Sequence, residues 1–295
     1  MLIVCSVLHE IKLTNNSALY DSILQLILNL VNQIADKELL TLGTYDSTKL
    51  FNDMLTLTTQ LFYERERSLF LHEPLQAASS VLDIGCGNGA YLAAVKQDYP
   101  HLSCTGLEKD ERIYSYASAR TAPGLQFVQS DYREWTPSAG PFDVVIARLV
   151  ALHLPDFEHF LTWLRTVTHP NSVIIVIDLD DDATAPLPAD CLPHFETIFR
   201  ASRKPLLDRF PKPAFDRLTE LTSALGGFRT QLQCYRVLAE DGETKLLMHR
   251  YMETVTRIMQ KDHLSDERLQ ELDLWLNQES FSYVAGMFAL SFQRI

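Results

Sequence analysis

The sequence predicts an α/β fold, a mostly parallel sheet with helices ahead of it and a helical cap. Three observations carry this. From Val81 onward, short apolar runs alternate with helical periodicity, giving strands at 81–84, 103–108, 125–130, 142–147 and 172–179 and helices at 89–98, 110–120 and 155–168. Such βαβ alternation implies parallel strands joined by crossover helices. The first strand, Val81-Leu82-Asp83-Ile84, runs into the glycine-dense turn Gly85-Cys86-Gly87-Asn88-Gly89 before its helix. Successive strands then carry or end near an acid: Asp83, Glu108 and Asp131. Glycines let the backbone turn tightly and lie against a ligand with no Cβ between, and the following helix offers unpaired N–H groups.

The composition fits a globular chain. With 295 residues and 46% hydrophobic content there is room for one large or two small domains with a buried core. The net charge of −12 disfavours a nucleic-acid surface, which needs clustered Lys and Arg, and favours a small molecule or a protein partner. Five cysteines without paired or metal-like spacing suit reduced thiols in a cytoplasm. The apolar start, Met1 to Leu8, is too short to span a membrane and lacks the flanks of an export signal, so no export and no membrane association are expected.

Ahead of the sheet, Leu19, Ile23, Leu26, Ile27, Leu30, Val31 and Ile34 mark an amphipathic helix over 17–40, and a second helix is expected over 48–72. Both have an apolar face to bury, so packing on the domain is the first reading; a substrate lid or a homodimer surface is the alternative. The opening run, Leu2 to Glu10, looks strand-like and has no assigned role.

Asp83, two residues before the first glycine, narrows the choice of ligand. A pyrophosphate would be repelled by it, whereas the amino group of a bound amino acid would be attracted. Gly85, Gly87 and Ala90 also fit the degenerate G-x-G-x-x-A spacing of dinucleotide-binding folds, a weak signal by itself. Cys104-Thr105-Gly106-Leu107-Glu108 then places an acid 19 residues after Gly89, suited to ribose hydroxyls in either fold. Leu125-Gln126-Phe127-Val128-Gln129-Ser130-Asp131-Tyr132 adds a further terminal acid, which discriminates better.

Together these segments resemble motif I and the succeeding strands of the class I S-adenosylmethionine-dependent methyltransferases, of the small-molecule biosynthetic type. The resemblance runs over roughly residues 60–295 and is most specific up to 131. It implies a seven-stranded Rossmann-like sheet in the order 3-2-1-4-5-7-6, with the seventh strand antiparallel. It implies S-adenosyl-L-methionine as cofactor, contacted by Asp83, Gly85, Cys86, Gly87, Glu108, Lys109, Asp131, Tyr132 and Arg148, and a small organic acceptor. Rival readings are a scaffold or repurposed pocket on the same fold, a protein or RNA methyltransferase, and a nicotinamide-dependent oxidoreductase.

Asp143-Val144-Val145-Ile146-Ala147 forms the fourth strand, and His169-Pro170-Asn171 turns into the fifth. A Pro-studded, helix-forming insertion follows, then a sixth strand at 229–237, further helices, and a last strand in Phe281 to Arg294. The expected division is therefore an N-terminal helical segment at 1–75, a cofactor-binding core at 76–182, 228–240 and 280–295, and a helical cap at 183–227 and 241–279.

Methyl transfer is an in-line displacement, so alignment, exclusion of water and sometimes removal of a proton are the protein's tasks. His153 follows strand four, on the edge where open α/β sheets bind ligands, and reads either as the base at the acceptor or as a structural cap for the next helix. Arg148 and His153 are spaced as in phosphoethanolamine methyltransferases, but Leu149 stands where those enzymes have Asp. Tyr63, Phe195 and Tyr251 are expected to join His153 in binding the acceptor, with Phe199 on the same apolar wall; Tyr63 and Arg65 could equally anchor their helix. Asp178, Asp180, Asp181 and Asp182 read as a solvated loop and helix cap, with no metal expected.

Overall fold

The computed structural model describes residues 46–137, 140–154, 156–209, 214–260 and 265–294. The expected helix over 17–40 and the strand-like opening run lie outside them. Helix α1 (Ser47–Glu66) buries Leu57, Thr58, Leu61, Phe62 and Glu66, one stripe at helical spacing. It passes through a wider turn at Arg67–Leu71 into α2 (His72–Ala77), so the helix expected over 48–72 extends further in three pieces.

The sheet then builds in order: β1 (Ser80–Ile84), α3 (Ala90–Asp98), β2 (Ser103–Glu108), α4 (Glu111–Ser118), β3 (Leu125–Gln129), β4 (Phe142–Arg148), α5 (Phe157–Val167) and β5 (Thr168–Leu179). A short β6 (Ala185–Leu187), α6 (Pro193–Leu207), α7 (Ala214–Leu225), β7 (Phe228–Ala239), α8 (Gly242–Gln260), α9 (Asp266–Asn277) and β8 (Ser282–Arg294) follow. The strand order is β3-β2-β1-β4-β5-β8, with β7 paired to β8 and β6 paired to the first residues of β8. Strands β1 to β5 are parallel and β8 is antiparallel to β5. Setting aside β6, this is the Rossmann-like methyltransferase order expected from sequence. The fifth strand starts four residues earlier than expected, at Thr168, because His169 and Ser172 tie the turn to β4: His169 Nε2 lies 2.9 Å from Asp143 Oδ1, and Ser172 Oγ donates to the Phe142 carbonyl at 2.7 Å.

The central strands are buried on both faces, as parallel strands require. Val81, Val144, Ile146, Ile175 and Ile177 join one apolar cluster, with Leu92 and Val95 of α3 and Met248, Met252 and Trp275 of α8 and α9. Leu82, Val145, Ala147, Ile174 and Val176 join the other, with Phe157, Phe160, Leu161 and Leu164 of α5. Leu218 of α7 belongs to this second cluster, and α7 packs on α5, β7 and β8. The segment grouped by sequence into one cap thus divides: α7 covers a face of the sheet, while α6 and α8 reach the loop after β4 and helix α1.

Helix starts follow local capping. Asp110 caps α4 by accepting from Arg112 N and Ile113 N, and Asp156 caps α5 by accepting from Glu158 N and His159 N at 2.9 and 3.1 Å. No described helix is long and apolar enough to cross a membrane.

Candidate active site

A cavity of about 690 Å³ opens over the C-terminal ends of β1, β2 and β4, lined by the glycine turn, by α1 and by the loop after β4. Open α/β sheets bind ligands at this edge, where the order of strands reverses. The turn is built for close approach. Gly85 and Gly87 have φ of 65° and 57°, and a Cβ on them would stand 2.8 Å from Val150 Cγ2 and 2.9 Å from Leu55 Cδ1. Gly87 N donates to Glu108 Oε2 at 3.1 Å, so the acid ending β2 also braces the turn. Asn88 fastens the turn to α1, donating to the Asn52 carbonyl at 3.0 Å and to Thr56 Oγ1 at 2.9 Å.

Asp83 is 2% exposed, lines the cavity, and makes no hydrogen bond or ion pair among the described residues. Burial pushes its carboxyl up to about 8; Arg148 pulls the other way and Glu108 adds to the rise. Glu108, Lys109, Asp131, Tyr132 and Arg148 line the same cavity with Gly85, Cys86 and Gly87, so the structure brings together all nine residues expected at a cofactor. Their states differ. Asp131 is held below the ordinary carboxylate range, first by its hydrogen bonds from Arg133, whose Nη2 lies 2.8 Å away. Tyr132 stands edge-on to Phe160 and Trp163, with a buried hydroxyl that has no partner among the described residues. The Cys86 thiol is buried, pushed well up by that burial, and would meet any Cβ on Gly106 at 2.8 Å, the behaviour of a small filler.

Arg148 is engaged from behind. Its Nε lies 3.2 and 3.1 Å from the two carboxylate oxygens of Glu66, its Nη2 donates to the Thr58 carbonyl at 3.1 Å, and its guanidinium sits 4.6 Å from the Tyr91 ring centroid. Glu66, 0% exposed, also accepts from the hydroxyls of Tyr91 at 2.6 Å and Tyr235 at 2.7 Å. Sequence reading missed Glu66, Tyr91 and Tyr235. Glu66 lies in the charged run Tyr63-Glu64-Arg65-Glu66-Arg67, where only the helical phase shared with Phe62 marks it as buried.

The acceptor-side expectations divide. His153 lines the cavity from the turn Ala151–His153. Its imidazole is held below the usual histidine range, first by partial enclosure and then by the positive charges of Arg203, Lys109 and Arg209. The helix it was thought to cap is capped by Asp156. Tyr63, Phe195 and Tyr251 are not among the cavity-lining residues. Tyr63 anchors α1, its hydroxyl donating to Asp98 at 2.9 Å and to the Ala94 carbonyl at 3.2 Å. Phe195 is a core residue, stacked on Phe199 and edge-on to Tyr283. Tyr251 sits half-buried near Arg203 and Asp181, while Ile258, further along α8, reaches the cavity instead. Along a helix, seven positions separate Tyr251 from Ile258 by about two turns, so only one end of α8 meets the rim.

Among the described residues no group of His, Cys, Asp and Glu is arranged to hold a metal. In the acidic loop, Asp181 is bidentate to Arg203 at 2.8 Å. Asp178 is buried, with Oδ1 accepting from Leu179 N and Oδ2 without a hydrogen-bond partner among the described residues.

An open α/β sheet with a glycine turn, strand-end acids and a cavity on its carboxyl edge defines a nucleoside-cofactor enzyme fold. Residues 56–225, more than half the chain, match the family described as methyltransferase domain, and the chain belongs to that family. Among curated proteins it is 32% identical over 111 residues to trans-aconitate 2-methyltransferase of Azoarcus sp. (strain BH72), covering 37% of this chain and 43% of that one. The enzyme of the same name from Escherichia coli (strain K12 / DH10B) is 32% identical over 122 residues, 39% of this chain and 47% of that one. The chain thus spans less than half the length of these curated relatives. Among solved structures it is similar to the plantazolicin methyltransferase BpumL in complex with a triazolic desmethylPZN analog and SAH, at 14% identity and a TM-score of 0.46, over 82% of this chain and 85% of that one. StiE O-MT is similar at 16% identity and a TM-score of 0.46, over 79% and 74%.

The family's methyl donor is S-adenosylmethionine, and the residues present fit it. A buried carboxyl with no side-chain partner among the described residues faces the cavity, which the backbone of Gly85 and Gly87 also lines, next to a second carboxylate at the end of β2.

Proposed function

We propose that the protein transfers a methyl group from S-adenosylmethionine to a small organic acid in a biosynthetic pathway of the cytoplasm. The unpartnered carboxyl of Asp83 at the cavity floor is the observation that carries this reading. S-adenosylmethionine supplies an electrophilic methyl group and leaves as a neutral thioether. Asp83 would receive the ammonium of its amino-acid end, with the Gly85-Cys86-Gly87 backbone beside it, and Glu108 would accept from ribose hydroxyls. Asp131, Lys109 and Tyr132 would flank the adenine end; Arg148 lines the cavity, but its charge is engaged by Glu66 and is not offered to the cofactor.

His153 lies at the acceptor's end of the cavity and is neutral at cytoplasmic pH, so it can take the proton of a hydroxyl or amine acceptor. A carboxylate acceptor needs no base; its lone pair is already free, and His153 would then orient it. Support for an acidic acceptor comes from the cations about His153 and from the relatives named for trans-aconitate. A net charge of −12 supports a metabolite over a nucleic acid. The proposed homodimer surface on the N-terminal helices lies partly outside the described residues.

The test is release of S-adenosylhomocysteine from S-adenosylmethionine in the presence of trans-aconitate and a panel of di- and tricarboxylates, hydroxy acids and amines, followed by chromatography. Turnover with an acid and with no amine supports the reading. A melting temperature raised by NAD and unmoved by S-adenosylmethionine would overturn it.

A further inference from the structure

Asp83 and Arg148 stand in an arrangement that opposite charges normally avoid. They stand at or next to the C-terminal ends of neighbouring strands, β1 and β4, paired in register from Val81↔Val144 to Asp83↔Ile146, and both line the cavity. Asp83 feels the charge of Arg148, yet the two form no ion pair among the described residues. Arg148 instead turns to α1 and pairs with Glu66. Glu66 is unusually well fixed for this. It is fully buried, its two oxygens accept from Tyr91 of α3 and Tyr235 of β7, and Arg148 is further pinned by the Thr58 carbonyl and the Tyr91 and Phe62 rings.

We propose that Glu66 is a positioning residue that sequesters Arg148 and so keeps the Asp83 carboxyl free for a ligand's ammonium group. Were Glu66 neutral, the buried guanidinium would lack a counter-ion. Arg148 is the charged group pulling the Asp83 titration down, so the Asp83 carboxylate at the cavity floor is the counter-ion within reach of its field. A buried charge deprived of its partner is driven strongly toward another. Pairing there would fill the place assigned above to the cofactor's ammonium, so this inference rests on that reading of Asp83. Glu66 thereby couples the helix ahead of the sheet to the ligand site without touching the ligand. Its two tyrosine donors explain why the carboxylate stays on the Arg148 side: with the guanidinium they hold both oxygens, leaving little freedom to turn toward the cavity.

The experiment is calorimetric titration of the full chain with S-adenosylhomocysteine, which carries the same amino-acid end without the sulfonium. Four proteins are compared: wild type, Asp83→Asn, Glu66→Gln, and Glu66→Gln with Arg148→Met. Glu66→Gln should lose affinity by about tenfold, the scale of one charged hydrogen bond, and the double variant should recover most of it because the competitor is gone. The proton taken up or released on binding gives an independent readout, measured from the buffer dependence of the heat. Wild type should release a proton, since burial keeps Asp83 protonated until a cation arrives; Arg148 and Glu108 are the charged groups that modulate it. Glu66→Gln should release none, Asp83 being already ionised by Arg148, whereas loosened packing alone would leave that release in place. Unchanged affinity in Asp83→Asn would mean the reading of Asp83 is wrong. Weakened binding in Asp83→Asn with wild-type binding in Glu66→Gln, or a double variant no better than Glu66→Gln, would overturn the role given to Glu66.

Discussion

The guanidinium of Arg148, at the end of β4, is held by the carboxylate of Glu66, 82 residues earlier, with Nε 3.2 and 3.1 Å from its two oxygens. Side-chain exposures of 7% and 0% make this a buried ion pair. It joins α1 to the sheet at the rim of the cavity, and with Tyr235 it extends to β7. Burial is the largest influence on Arg148 and opposes its charge, but Glu66, Tyr91 and Tyr235 together outweigh it and raise the pKa further above its already high range.

Breaking this pair from one side should be costly, and removing both sides less so. Arg148→Met leaves Glu66 buried with only its tyrosine donors and is expected to destabilise the fold by roughly 3–5 kcal/mol. Glu66→Gln combined with Arg148→Met should recover a large part of that. Urea unfolding of the two single variants and the double variant measures the coupling; additive losses would show the two residues to be energetically independent.

Asp83 makes cofactor affinity depend on pH. Its carboxyl, pushed up to about 8 by burial, is mostly protonated at neutral pH and must ionise to hold an ammonium. Affinity for S-adenosylhomocysteine should therefore rise as pH increases from about 6 to 8, until the ligand's own ammonium begins to lose its proton. Asp83→Asn should flatten this rise and cost on the order of 1.5–3 kcal/mol at pH 8. Stability of the free protein should move oppositely. The unfolded chain gives up the Asp83 proton near pH 4 and the folded chain near 8, so folding loses stability as pH rises through that window, and Asp83→Asn removes this slope. Thermal melts at pH 5 and pH 8 for the two proteins test it.

His153 is held below the ordinary histidine range by its partial burial and the cations near it, so it takes up its proton at lower pH than a free histidine. For an acceptor that must lose a proton, His153→Asn should cut turnover by roughly 10²-fold and flatten the acidic limb of the rate profile while S-adenosylmethionine binding is unchanged. For a carboxylate acceptor the acidic limb should persist in the variant. Since Asp156 caps α5, a fall in melting temperature with turnover intact is not the expected result.

The glycine turn should tolerate no side chain. Gly87→Ala puts a Cβ 2.9 Å from Leu55 Cδ1 at a φ of 57°, costing about 1–2 kcal/mol for the backbone alone. Leu55 can turn aside, so stability should fall modestly while affinity for S-adenosylhomocysteine falls more. Equal and small changes in both would place Gly87 outside the ligand's reach.

Much of this site was legible because it depends on local chemistry. Asp83, the glycines, Glu108 and Asp131 occupy strand ends and turns, where residue type and spacing report on backbone geometry directly. The cavity-lining residues Lys109 and Tyr132 follow from being next to them in sequence. The acceptor side was less legible. Phe195 and Tyr251 were assigned to the cavity because large apolar and aromatic residues in an inserted helix suit either a pocket wall or a core, and pattern alone does not say which face meets which neighbour. Phe195 met Phe199 and Tyr283 instead, and Tyr63 met Asp98.

By itself the sequence determined the alternation of strands and helices, the glycine turn and its acids, since these arise from period, propensity and steric demand within a few residues; the strand order was what the family resemblance implied. Tertiary structure decided which helices flank the sheet and which reach the cavity, dividing α7 from α6 and α8. It also decided that Glu66, outwardly one charge in a charged run, is buried against Arg148, Tyr91 and Tyr235. A carboxylate goes into a core only when donors from distant segments converge on it, and that convergence is created by folding.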